Sequence, residues 1–100
     1  MIWLIRSEGE RIFLIGDEVE AIITVEQFST IGGNQAVMID VEIWKKDTPF
    51  NGRNGWYFNG SIMKVYELET KIHLSSLRHT SVKLIVDAPD HVRVLRGELL

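Results

Sequence analysis

The chain has 100 residues, 45% hydrophobic and 25% charged, with no cysteine and a formal net charge of −3. That is the composition of one ordinary globular domain, and it argues against disorder, a disulfide framework, thiolate chemistry and cysteine-based zinc sites. The acidic balance also argues against a general nucleic-acid binder, so any nucleic-acid contact must rest on particular basic residues.

The opening run, Met1 to Ile5, is apolar, but Arg6, Glu8 and Glu10 follow at once. It is too short for a signal core or a membrane span, and the chain reads as soluble and cytoplasmic. Ile2 to Arg6 predicts a first strand, and Ser7-Glu8-Gly9-Glu10 a turn. Arg11 to Ile15 predicts a second strand, Gly16-Asp17 its turn, and Val19 to Val25 a third strand. Gly32-Gly33-Asn34 is a further turn signal. Beyond it Val37, Ile39, Val41 and Ile43 alternate with Met38, Asp40, Glu42 and Trp44, the period of a half-buried strand.

Lys45 to Ser61 reads as a polar loop. Its Asn-Gly pairs begin at Asn51, Asn54 and Asn59, and each is a tight-hairpin signal because both residues tolerate positive φ. Met63 to Leu74 reads as a strand with Tyr66, Leu68, Ile72 and Leu74 on one face, although a helix would gather Val65, Leu68 and Ile72. Val82 to Val86 is a clear strand, and Ala88-Pro89-Asp90 ends it. Val92 to Leu95 predicts a short final strand, and Arg96 to Leu100 at most a helical turn. The predicted order is three strands, an inserted β-hairpin, then two strands.

Little in this inventory points to catalysis. His73, His79 and His91 lack metal-ligand spacing, and neither a glycine-rich phosphate loop nor an activated nucleophile is present. Glu8 with Glu10, and Glu67 with Glu69, read as solvent-facing pairs rather than acid–base machinery. The reading is therefore a non-enzyme with no metal, cofactor or catalytic residue. Trp3 and Trp44 are expected as core or dimer-interface anchors. Trp56, Tyr57 and Phe58 are expected to pack rather than to form a stacking platform for bases. Arg11, Arg93, Lys45, Lys46 and Arg53 read as solvated surface charges.

The two ends carry a more specific pattern. The start reads Met1-Ile-Trp-Leu-Ile-Arg6-Ser-Glu-Gly9-Glu10, then Gly16-Asp17-Glu18-Val19. The end reads Ser81-Val-Lys-Leu-Ile-Val-Asp-Ala88-Pro89-Asp-His-Val92-Arg-Val94-Leu-Arg96-Gly-Glu98-Leu. In this order these segments resemble the CsrA/RsmA carbon storage regulator family, over about the first 25 and the last 20 residues. The resemblance implies one domain spanning 1–100 with an insertion at 27–80. It implies an all-β, small intertwined β-barrel or sandwich homodimer, in which the first strand of one chain lies beside the last strand of its partner.

By the same resemblance the ligand is RNA, a GGA-containing hairpin loop of a messenger or small RNA. Its binding controls translation and message stability. The residues carried across are Leu4, Arg6, Val94, Leu95 and Arg96, with Lys83 where the family often has arginine. Ser7 departs from the family's second arginine, and one extra residue lies between Glu10 and Gly16. About 50 residues replace a connection that is normally a tight turn. Those residues suggest an alternative: a protein-interaction module, or a mixed-dimer antagonist of an ordinary family member, acting through the insertion.

Overall fold

The computed structural model describes residues 1–47 and 62–97 in full and residues 52–58 by their backbone. Among the described residues the strands are β1 (Ile2–Ser7), β2 (Arg11–Ile15), β3 (Val19–Ile31), β4 (Asn34–Lys45), β5 (Gly52–Phe58), β6 (Ile62–Val65), β7 (Thr70–Leu77), β8 (Ser81–Asp87) and β9 (Arg93–Arg96), with one 3₁₀ turn at Tyr66–Leu68. They form two antiparallel sheets, ordered β1-β8-β7-β6 and β5-β4-β3-β2-β9. The all-β expectation is met.

Strand alternation builds the core. Ile12, Leu14, Ala21, Ile23, Val25, Val37, Ile39 and Val41 point inward from the larger sheet, and Leu4, Met63, Val65, Ile72, Val82, Leu84 and Val86 from the smaller one. Fully burying such a side chain contributes about 1.5–3 kcal/mol each, which makes the facing of the two sheets the main source of stability. No helix among the described residues is long and apolar enough to cross a membrane.

The third strand runs further than its predicted end at Val25. It continues to Ile31 across a register shift between Val25 and Gln27, and pairs with β4 along that whole length. Gly32 and Gly33, at φ +57° and +83°, close this hairpin with the two consecutive left-handed residues that a tight turn matched to strand twist requires.

Two expectations are corrected. Lys45 to Ser61 is not all loop: β5 lies inside it and pairs with β4, and Asn54-Gly55 sits in mid-strand opposite Val41 and Asp40 rather than at a turn. Asn51 and Asn59 lie outside the described residues. Met63 to Leu74 is not one strand but two, β6 and β7, reversing through Tyr66–Leu68 and a left-handed Glu69 at φ +50°. Leu68 and Ile72 are buried as expected, whereas Tyr66 is exposed at the reversal. Residues 27–80 thus hold the rest of β3 and all of β4 to β7. The turn suggested for Arg96 to Leu100 falls largely on residues 98–100, outside the described residues.

Candidate nucleic-acid interface

The first and last strands of the chain occupy matching places. β1 is an edge strand of the smaller sheet and β9 an edge strand of the larger. β1 pairs with β8 (Ile2 opposite Val86, Arg6 opposite Val82), and β9 pairs with β2 (Leu95 opposite Phe13, Arg96 opposite Ile12), both within the chain. The other side of each strand pairs with no strand among the described residues.

The Ser7–Glu10 turn brings these edges to one corner. It carries the chain from the smaller sheet to the larger, with the Glu10 N–H donating to Ser7 O at 3.0 Å and the Gly9 N–H to Val25 O at 2.7 Å. Arg6 spans the gap. Its side chain is only 6% exposed; Nε donates to Ile5 O at 2.8 Å, one terminal nitrogen reaches Arg11 O at 3.4 Å, and Glu10 lies 3.8 Å away as an ion pair. Glu10 also accepts the Ser7 backbone N–H at 2.6 Å, so its carboxylate is held facing the guanidinium. Arg11 in turn abuts the end of β9: a Cβ built on Gly97 would stand 3.0 Å from Arg11 Cβ and 3.2 Å from Arg11 O. Glycine at that position lets the two backbones approach this closely.

The residues singled out from the sequence are therefore divided. Leu4 is core, facing Leu84, and Val94 packs half-buried against the same core. Arg6 is buried at the corner, and Arg96 is exposed beside it. Leu95 is half-buried next to Phe13 on the outer face of its sheet. Lys83 is not part of the corner. It points to the outer face of β8, where its ammonium lies 4.2 Å from the centroid of Trp3.

Trp3 and Trp44 are not core anchors: they are 58% and 45% exposed, and Trp44 Nε1 donates to Glu42 Oε1 at 3.1 Å. The side chains of Trp56, Tyr57 and Phe58 lie outside the described residues. Arg11 is the residue that sequence reading passed over. It is exposed, and its nearness to Arg96 and Gly97 follows from the β2–β9 ladder, which no local motif announces. Neither Arg11 nor Arg96 is ion-paired among the described residues.

By register Arg11 and Arg96 leave opposite faces at the end of the sheet; each exposed guanidinium can take a phosphate in a fork, and the strand edges alongside can offer backbone donors and acceptors to unpaired bases. No protein family, curated protein or solved structure matches this chain.

Proposed function

We propose that the chain is a post-transcriptional regulator that binds GGA-containing RNA hairpin loops at the β1–β9 corner, without catalysis and in the cytoplasm. One observation supports this reading above the others. The first and last strands of the segments that resemble the regulator family, β1 and β9, are edge strands, and their ends come near one another with Arg11 and Arg96 exposed and unpaired by acids. Sequence-specific RNA readers take unstacked loop bases, and strand edges flanked by arginine suit them.

In this reading Arg96 and Arg11 hold phosphate or base edges, and Leu4 and Val94 support the two strands from the core side. Arg6 positions the corner from beneath and does not grip the ligand. Leu95 flanks the patch, and Lys83 serves a stem that extends over Trp3.

The regulator is proposed as a homodimer of the intertwined type. Strand exchange between two copies would keep the β1–β8 and β9–β2 ladders and change only which chain supplies a strand, so that β1 lies beside a partner's β8 and not, as the resemblance implies, beside its last strand. The inserted segment enlarges both sheets in this scheme.

A titration with a hairpin carrying GGA in its loop, against a loop-scrambled control, tests the reading. We expect a clear preference for GGA, reduced about tenfold by Arg96→Ala, the loss of one charged hydrogen-bonding group. Thermal stability should be unchanged. Equal affinity for both loops would leave only backbone electrostatics, and no binding to either would leave the partner-binding alternative.

A further inference from the structure

The geometry points to a second site, for a phosphate group, in the cleft between the β3–β4 tip and the β7–β8 turn. The long hairpin carries its tip past the point where β3 and β2 cease to pair, and the turn at Arg78–Thr80 closes over it, with Arg78 N–H donating to Ser81 O at 2.9 Å. The two are joined side chain to side chain: Gln35 Nε2 lies 3.2 Å from each ring nitrogen of His79. Beside this contact is a cavity of about 80 Å³, lined by Phe28, Ser29, Thr30, Gln35, Arg78 and His79 among others. That is room for more than one water-sized group.

The lining is chemically one-sided. It offers a guanidinium, an imidazole, a carboxamide and two hydroxyls, and no carboxylate. Arg78 is exposed and has neither an ion pair nor a side-chain hydrogen bond among the described residues. The Ser29 hydroxyl oxygen is buried and has no hydrogen-bond partner there either. A cation without an acid, hydroxyl donors and an amide donor within one small cleft suit a tetrahedral oxyanion, whose several oxygens take several donors at once. A cationic ligand would meet Arg78 unshielded, and an apolar one would strand the hydroxyls.

The ligand chemistry is that of a phosphate oxyanion, carried by a free phosphate or phosphomonoester or by the backbone of a polynucleotide. The site adjoins the Ser7–Glu10 turn, since Ser7 pairs with Ser81 beside it, but its lining shares no residue with the β1–β9 corner and its test does not use GGA recognition.

The test is a titration of ¹⁵N-labelled full chain followed by amide and side-chain NMR shifts. One arm uses inorganic phosphate against chloride at matched ionic strength, and the other a single-stranded oligonucleotide without GGA. Saturable shifts of the Gln35 carboxamide and the Arg78 and His79 amides are expected. Arg78→Ala should weaken them about tenfold, and Arg78→Lys less, because it keeps the charge but loses the fork. Saturation by phosphate alone identifies a free ligand; saturation by oligonucleotide at lower concentration identifies a backbone phosphate. The site is refuted by unmoved resonances in both arms, by equal shifts with chloride, or by an unchanged response in Arg78→Ala. Failure of GGA preference is read separately, at Arg11 and Arg96, and does not bear on it.

Discussion

Arg6 shows how one side chain can serve two strands. It sits at an inward position of β1, opposite Val82, yet ends at the backbone of Arg11 in the other sheet. A buried charge is costly unless paired and hydrogen-bonded, and Arg6 has Glu10 and the Ile5 and Arg11 carbonyls around it. Its alkyl stem meanwhile fills core volume next to Val82. Truncation and isosteric replacement should therefore diverge. Arg6→Ala removes both the bonds and the volume and is expected to lower stability by about 2–4 kcal/mol. Arg6→Met keeps the volume and removes the desolvated charge, so its stability should lie within about 1 kcal/mol of the parent. Urea denaturation of the two variants distinguishes a packing role from an electrostatic one, since equal losses would mean that the charge itself holds the corner. The sequence did show that Leu4 and Arg6 share a face. It did not show which face turns inward, because Trp3 and Ile5 make the opposite face equally apolar.

At the scale of elements, strands were legible where apolar alternation was bounded by glycine, proline or a charged turn. β1, β2, β8 and most of β4 are of this kind. Two misreadings rest on turn chemistry. The reversal after β6 uses a left-handed Glu69, at φ +50°, where glycine or asparagine would have been the signal. Asn54-Gly55 carries that signal but lies inside β5, because the ladder with β4 holds it extended. The β3–β4 tip, by contrast, uses the expected chemistry. Gly32→Asn should be tolerated, since asparagine adopts left-handed backbone readily, while Gly33→Val at φ +83° should cost about 1–2 kcal/mol. Equal melting temperatures for the two variants would show that the tip contributes nothing to stability. β1 poses a different question. Its outward residues Trp3 and Ile5 are 58% and 63% exposed, and its open edge has no proline, bulge or lysine to guard it. By register, Trp3 begins a row continuing through Ile85 and His73 to Ile62 on the outer face of the sheet. If a second copy packs on this outer face, Ile5→Lys should shift sedimentation from dimer to monomer with little change in secondary structure. A parent chain that is monomeric at high concentration removes the homodimer from the proposed function.

At the scale of the whole molecule, the question is how a chain of net charge −3 would hold a polyanion. A basic protein binds through many phosphates, and its affinity falls steeply with salt because many counterions are released. Here the exposed cations of the corner are Arg11 and Arg96, with Glu8 and Glu10 nearby to oppose any wider field. Counting the two arginines as two phosphate contacts to a single-stranded loop gives a slope of log affinity against log salt of about −1.4. Most of the discrimination must then come from bases docked on strand edges, which salt hardly touches. The prediction is a shallow salt dependence for the GGA hairpin, with Arg11→Ala and Arg96→Ala each reducing the slope by about 0.7. A slope several times steeper would mean that cations beyond this corner carry the binding. A slope unaltered in both variants would place the RNA elsewhere on the molecule, and the cleft at Arg78 would be the next surface to substitute.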